Sequence, residues 1–113
     1  SYARKLLKEE GYTLVLWDLS AMDWAELAPK KIVSHVINKV KPGSIILLHD
    51  SGDLITNKGG NRNSTVKALP EIIDRLREQG YEFVTIDQMI FISELMETEE
   101  AFHEDSFSPA PAY

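Results

Sequence analysis

One histidine and one aspartate follow two apolar runs, and their side chains could move a proton between them. The apolar run 45–48 stops at His49. The apolar run 13–17 leads through Asp18 to Asp23. Active sites of α/β proteins lie at the carboxyl ends of buried strands, because loops there can aim side chains into a shared crevice. A histidine oriented by a carboxylate is a general acid or base near neutral pH, so the sequence predicts an acid–base pair.

Each of these residues also has an ordinary structural explanation. His49 could be a strand-end histidine bonded to backbone, and Asp23 could be a turn aspartate beside a half-buried Trp24. Chemistry is favoured because both stand at equivalent ends of successive predicted strands, and a long polar loop follows His49. The other histidines fit plainer roles: His35 is explained by packing or exposure on a helix, and His103 by solvation.

The sequence contains no complete metal site of its own. No two of the three histidines have ligand spacing, and the chain has no cysteine, which also excludes disulfides and thiolate chemistry. His49, Asp50 and Asp53 could form a metal-binding cluster, but their spacing matches no trusted motif. The stretch 58–65 lacks the residue order of phosphate-binding loops, so a mildly basic loop is the better interpretation.

Length and composition limit the class of protein. The chain has 113 residues, of which 43% are hydrophobic, and this is ordinary for one globular domain. Its net charge of −6 gives no electrostatic case for binding nucleic acid or an anionic membrane. No apolar stretch approaches the roughly 20 residues of a membrane span.

Apolar periodicity predicts the elements that must hold these side chains. In the first half we expect a helix ending at Gly11, a buried strand at 12–17 and a loop or turn at 21–28. A second helix begins at Pro29 and is followed by a turn at 41–43 and a strand at 44–48. The residues of this helix that we expect to face inward are Ile32, Val33, Val36, Ile37 and Val40. After a loop at 50–64 we expect a helix capped by Ser64 or Thr65 with Leu69, Ile72, Ile73 and Leu76 inward, a strand at 83–86, and a helix capped by Asp87. Pro70 leaves the continuity of the third helix open.

Helices that alternate with uninterrupted apolar strands predict an α/β fold, in which parallel βα units have their strands covered by helices. Three strands make a thin core. Either they pair with strands outside this chain or they form a very small sandwich, and the first interpretation is favoured. From Glu97 the chain becomes acidic and then Pro-containing, which predicts a loose tail.

Two motifs resemble the last two of the NodB-type polysaccharide deacetylases, carbohydrate esterase family 4. They are WDLSAMDW at 17–24 and IILLHD at 45–50. The stretches 63–73 and 80–86 also resemble the family's terminal helix and strand. The resemblance covers residues 3 to 92, in order and spacing as well as in composition.

The resemblance implies a distorted (β/α) barrel, related to the TIM barrel, of which this chain supplies the C-terminal half. Such a barrel needs on the order of 200 residues. Residues 1–96 would be the C-terminal part of the domain and 97–113 its acidic tail. The missing front half would carry the catalytic base, the His-x-x-x-His metal motif and an arginine motif, none of which occurs in this sequence.

The resemblance also implies a metal-dependent hydrolase that removes N-acetyl or O-acetyl groups from a glycan such as peptidoglycan or a chitin-like polymer. His49 would protonate the leaving amine, and Asp23 would orient its imidazole and favour the charged form. Trp24 would wall the sugar groove, and Leu47 would help line the acetyl pocket. A divalent ion of the zinc or cobalt type would activate water, with its ligands outside this chain. No role is assigned to Asp18.

Partners and location follow from the same resemblance. The partners would be an N-acetylated glycan and the missing N-terminal half, in an extracellular or cell-envelope protein, and this segment alone would be incomplete and inactive. Two other functions stay open. One is a non-catalytic carbohydrate-binding remnant that keeps Trp24 and the fold. The other is a free-standing small α/β domain of receiver or flavodoxin type with an acidic strand-end site.

Overall fold

The computed structural model describes residues 1–25, 27–52 and 61–106. The elements in chain order are α1 (Tyr2–Glu9), β1 (Leu19–Ser20), a short 3-10 helix (Asp23–Ala25), α2 (Pro29–Lys39), β2 (Ile46–Leu47), α3 (Asn63–Glu78) and α4 (Ile86–Ser106). They fall into two compact units, Ser1–Tyr81 and Glu82–Tyr113. Within the described ranges, none of the helices combines the length and apolar character needed to cross a membrane.

β1 and β2 pair in parallel, as the alternation of helices and strands predicts. Leu19 lies opposite Ile46 and Ser20 lies opposite Leu47. One more bond extends the pairing toward the carboxyl ends, where the N–H of Ala21 donates to the carbonyl of Leu47 at 3.0 Å. This register carries the residues that follow both strands to the same edge of the pair.

The predicted strand at 12–17 is wrong. These residues belong to neither helix nor strand, and their side chains are exposed, with Trp17 at 51%. An apolar run satisfies strand propensity, but a strand also needs a neighbour for its backbone hydrogen bonds. Among the described residues that neighbour is β2, and its backbone is hydrogen-bonded to residues 18–21 and not to 12–17. The first strand therefore begins after Asp18.

The predicted strand at 83–86 is wrong as well, because residues 81–85 are irregular and the last helix begins at Ile86. Thr85 caps this helix in place of Asp87. The Thr85 hydroxyl accepts the Gln88 N–H at 3.2 Å, and the Gln88 side-chain oxygen accepts the Thr85 N–H at 2.9 Å. This reciprocal pair is a capping box, and Asp87 lies inside the first turn, where its charge favours the helix dipole.

α4 runs through the acidic residues that follow Glu97 to Ser106, so residues 97–106 are helical and not loose. The Pro-containing end of the predicted tail, residues 107–113, lies outside the described residues. Glutamate and other straight side chains lose little freedom in a helix, which makes an acidic run compatible with helical backbone. The proposed division of the chain at residues 96 and 97 stays a prediction.

The core of the first unit lies between α2, α3 and β1. Its buried apolar residues are Leu19, Ala21, Ile32, Val33, Val36, Ala68, Ile72 and Leu76. Of the predicted stripe of α2, Ile32, Val33 and Val36 are buried, and Ile37 and Val40 are partly buried against the same core. α3 is continuous through Pro70 and buries residues spaced three, four and four apart, from Thr65 through Ala68 to Leu76, while the predicted Leu69 is exposed.

Glycines end α1 and α3 in the predicted way. Gly11 and Gly80 have φ values of +77° and +88°, a left-handed conformation that glycine adopts without a Cβ penalty. In each case the next residue's N–H turns back onto the last helical turn, from Tyr12 to Leu7 at 2.8 Å and from Tyr81 to Leu76 at 2.9 Å. These are Schellman endings.

Candidate active site

A left-handed residue directs the chain from β1 into the site. Met22 has φ +57°, a conformation that is uncommon for a residue with a side chain. Its N–H donates to the hydroxyl of Ser20 at 3.3 Å, which closes a small local turn. The 3-10 helix Asp23–Ala25 follows at once and buries Asp23. Met22, in this uncommon conformation, therefore connects the end of β1 to the 3-10 helix that carries Asp23.

Asp23 and His49 contact each other at the carboxyl ends of β1 and β2. Asp23 is 3% exposed. Its Oδ2 accepts the backbone N–H of His49 at 2.8 Å, and its Oδ1 lies 2.8 Å from the ring Nδ1 of His49. The structure thus brings the two predicted side chains together, and their catalytic roles remain a prediction.

The protonation of Asp23 decides the tautomer of the histidine. Burial raises the pKa of Asp23, but the hydrogen bonds from the His49 ring, the His49 backbone and Thr65 outweigh it, so the pKa lies below its ordinary value of 3.8. An ionised carboxylate only accepts, so Nδ1 of His49 carries a proton and donates it to Oδ1. The other nitrogen, Nε2, is then the one that can meet a substrate. The His49 side chain is 36% exposed.

Two residues at the start of α3 complete the surroundings of Asp23. The hydroxyl of Thr65, a residue 7% exposed, donates to Asp23 Oδ2 at 3.0 Å. Arg62 donates from Nη1 to the backbone carbonyl of Asp23 at 3.2 Å and from Nε to the carbonyl of Ser51 at 2.8 Å. Neither role is predicted from the sequence.

The prediction that Ser64 or Thr65 caps α3 with its side chain is wrong. α3 begins at Asn63 after Arg62, without a side-chain cap, and the hydroxyl of Thr65 is used by Asp23 instead of by the helix. One signal was available in the sequence. A threonine on the inward register of a helix, three residues before Ala68, is a polar group in a buried stripe, and such groups need a hydrogen-bond partner.

Trp24 and Leu47 flank the pair along the chain. Trp24 follows Asp23 on the 3-10 helix and is 53% exposed, so about half of its surface is open to solvent. Leu47 is half-buried in β2, two residues before His49. A half-exposed aromatic side chain and a partly buried aliphatic side chain therefore lie close to Asp23 and His49 along the chain.

Asp18 lies at the opposite end of the strand pair. Its Oδ1 accepts the N–H of Ile45 at 2.6 Å, and its Oδ2 accepts the hydroxyl of Ser44 at 3.0 Å. The bond from Ile45 lowers the pKa of Asp18 most strongly, and this outweighs desolvation. The expectation that Asp18 follows a strand, on the way to Asp23, is therefore wrong, because β1 begins at the residue after it.

The described residues do not fit a resident metal ion by themselves. They contain no group of three His, Cys, Asp or Glu side chains that could hold one. In the alternative cluster of His49, Asp50 and Asp53, the last residue lies outside the described part of the chain, as do positions 58–60 of the basic stretch. His35 is half-buried on α2, and His103 is exposed on α4.

Comparisons with known proteins point to one enzyme class. No family model matches the chain. The chain is 41% identical to a peptidoglycan-N-acetylglucosamine deacetylase of Bacillus cereus over 88 residues, which are 76% of this chain and 38% of that protein. The structure of the peptidoglycan deacetylase PdaC from Bacillus subtilis matches with a TM-score of 0.72 and 29% identity, over 88% of this chain and 45% of that chain.

A third match is a mutant of a CE4 family pseudoenzyme with restored enzymatic activity. It has a TM-score of 0.63 and 27% identity, over 75% of this chain and 27% of that chain. The chain therefore spans less than half the length of each of these three proteins.

Proposed function

The chain belongs to the polysaccharide deacetylases of carbohydrate esterase family 4, and we propose that it supplies the general-acid half of a deacetylase active site. The observation that carries this proposal is the contact between His49 Nδ1 and Asp23 Oδ1 at 2.8 Å. It leaves Nε2 of a partly exposed imidazole at the strand edge where α/β enzymes do their chemistry.

The proposed role of His49 follows from the balance of the reaction. Hydrolysis of an N-acetyl group breaks the bond between the acetyl carbon and the glycan nitrogen, and the oxygen of water goes to acetate. The nitrogen must gain a proton to leave as an amine. Protonated His49 donates that proton from Nε2, while Nδ1–H stays bonded to Asp23. The carboxylate offsets the positive charge of the imidazolium before the transfer and keeps the ring in one orientation.

Substrate binding is proposed for the two neighbours of the pair. The open face of Trp24 provides an apolar wall for a sugar ring, since indole rings offer a large flat surface. Leu47 helps to line the pocket for the acetyl methyl group. The substrate class is an N-acetylated glycan such as peptidoglycan or a chitin-like polymer, and an extracellular or cell-envelope location is proposed with it.

We propose that the remainder of a distorted (β/α) barrel lies outside this chain. The length comparison supports this, and so do strands of two residues each and a run at 12–17 whose apolar side chains are exposed. As the family resemblance implies, the base and a divalent ion of the zinc or cobalt type would belong with that remainder.

A non-catalytic carbohydrate-binding protein is the second candidate. The match to a pseudoenzyme supports it, because the fold in that case occurs with a site that a mutation had to restore. Family membership sets aside the receiver- or flavodoxin-type alternative.

The test is acetate release by the full-length protein that contains this chain. Peptidoglycan and chitooligosaccharides are incubated with it, and free acetate and new amines are quantified before and after chelation of divalent ions. We expect acetate release that chelation abolishes and zinc or cobalt restores, and none from residues 1–113 alone. Glycan binding without acetate release under all metal conditions would contradict the enzyme and favour the second candidate.

A further inference from the structure

We propose that Thr65 and Arg62, at the start of α3, are positioning residues that hold the Asp23–His49 pair in its working geometry. This inference rests on the proposed function of the pair and extends it to an element that does not itself touch the substrate. It assigns a purpose to three hydrogen bonds that a helix start does not require for its own stability.

The first step concerns the rotation of the Asp23 carboxylate. Torsion about the last bond of an aspartate is broad, so one partner alone does not fix which oxygen faces the imidazole. Oδ2 accepts two bonds from different elements, the His49 N–H at 2.8 Å and the Thr65 hydroxyl at 3.0 Å. With Oδ2 occupied on two sides, Oδ1 is the oxygen that points at Nδ1 of His49.

The second step concerns the rigidity of Thr65. It lies on the buried stripe of α3 with Ala68, Ile72 and Leu76, which belong to the core that includes α2. A buried hydroxyl is costly unless it is hydrogen-bonded, so this position favours Thr only because the Asp23 carboxylate is present. Because α3 is packed in the core, the Thr65 hydroxyl has a fixed position, and its hydrogen bond restrains the Asp23 carboxylate.

The third step concerns the two segments that carry the pair. Arg62 bonds to the carbonyl of Asp23 and to the carbonyl of Ser51, two residues after His49. A guanidinium presents its donors in a rigid planar fork, so one side chain can tie both segments to α3. A lysine ammonium also has three N–H donors, but they radiate from one nitrogen and do not match the spacing of Nε and Nη1 in this bridge.

The decisive experiment uses Thr65→Val and Thr65→Ser in the full-length protein, with Thr98→Val as the matched control. Thr98 is exposed on α4 and its hydroxyl donates to the carbonyl of Glu94 in the same helix. We expect Thr65→Val to lower kcat about tenfold with KM unchanged, as for the loss of a hydrogen bond to a charged group. Thr65→Ser restores kcat, and Thr98→Val leaves it at the parent value.

A second readout follows the His49 ring directly. Isotope-labelled histidine is used to record the Nδ1–H resonance, which reports the bond to Asp23 whether or not the protein turns over. We expect this resonance to broaden through faster exchange in Thr65→Val and in Arg62→Lys, and to match the parent in Thr65→Ser. The resonance is assigned by its disappearance in His49→Ala.

The two readouts separate failure of the inference from failure of the proposed function. An unchanged Nδ1–H resonance in Thr65→Val and Arg62→Lys overturns the inference, even where thermal stability falls, because the residues would then support only the fold. A parent protein that releases no acetate overturns the proposed function, and the resonance still decides whether Thr65 and Arg62 position the pair.

Discussion

Two aspartates five positions apart, Asp18 and Asp23, make the same first contact at opposite ends of the β1–β2 pair. Each accepts a backbone N–H from the segment of β2, Ile45 at 2.6 Å for Asp18 and His49 at 2.8 Å for Asp23. Each therefore braces one end of a parallel pair that has only two residues in each strand. They differ in their second partner and in their surroundings.

The two carboxylates differ in burial, and the proposed chemistry involves only the buried one. Asp18 is exposed, so water competes for its oxygens and its bond to the Ser44 hydroxyl is a local brace. Asp23 is buried, and its two oxygens accept bonds from His49 and Thr65. A low local dielectric strengthens such bonds and makes an unpartnered group costly. The same residue type thus braces a strand at one end and orients an imidazole at the other.

Of the variants that distinguish the two ends of the β1–β2 pair, His49→Ala in the full-length protein is expected to change turnover most. Removing a general acid lowers turnover by about 10²–10⁴-fold. The matched control is His35→Ala on α2, which we expect to leave kcat unchanged. Kinetics on a soluble glycan and metal analysis of both variants make the test. Loss of bound metal from the His49 variant would show that its role is misassigned.

The next effect compares Asp23→Asn with Asp18→Asn. In Asp23→Asn, the amide that replaces the carboxylate places a donor against either the His49 Nδ1–H or the N–H and hydroxyl that Oδ2 accepts. We expect kcat to fall on the order of 10–100-fold, the equivalent of losing a hydrogen bond to a charged group. Asp18→Asn should leave kcat unchanged and lower the thermal midpoint slightly. Equal losses of kcat in both variants would contradict the distinction between the two ends.

The smallest effect is the dependence of folding on pH. The pKa of Asp23 is lowered in the folded protein, so the unfolded chain binds more protons in acid and stability rises with pH. The contribution of Asp23 is complete above its unfolded pKa, near 3.8, and is lost as the pH falls through its lower folded pKa. The lowered pKa of Asp18 has the same sign, and exposure weakens its contribution.

Urea unfolding from about pH 7 to about pH 3 measures this difference. The unfolding free energy of the parent should fall more steeply than that of Asp23→Asn below about pH 4, so that the two curves converge in acid. A gap between them that stays constant over the whole range would show that the ionised carboxylate does not stabilise the fold.

Local signals in the chain predicted much of the scaffold. The inward stripe of α2 follows from a spacing of three and four residues, and the helix endings at Gly11 and Gly80 follow from the tolerance of glycine for positive φ. These features depend on residues within one or two turns of each other. The parallel pairing also followed, because alternating helices and apolar runs leave few other arrangements.

β2 (Ile46–Leu47) lies within the predicted strand at 44–48, but the position of the first strand could not be obtained in this way. The run at 12–17 has the composition of a buried strand, yet the structure pairs the less apolar stretch from Asp18 to Ala21 with β2. Strand pairing depends on which backbone lies alongside, and that is set by packing over α2 and α3. A shift of a few residues along the chain was enough to move Asp18 to the far end of the pair.

By itself, the sequence determined the candidate pair Asp23 and His49 and the motifs that place the chain in its family, since both depend on residue type and order. The tertiary structure alone decided that a Thr65 hydroxyl and the Arg62 guanidinium surround the carboxylate. Those contacts join positions some forty residues apart, between Asp23 and the start of α3. Periodicity predicts which face of a helix is buried, but the atoms that this face contacts depend on how the helix packs against distant parts of the chain.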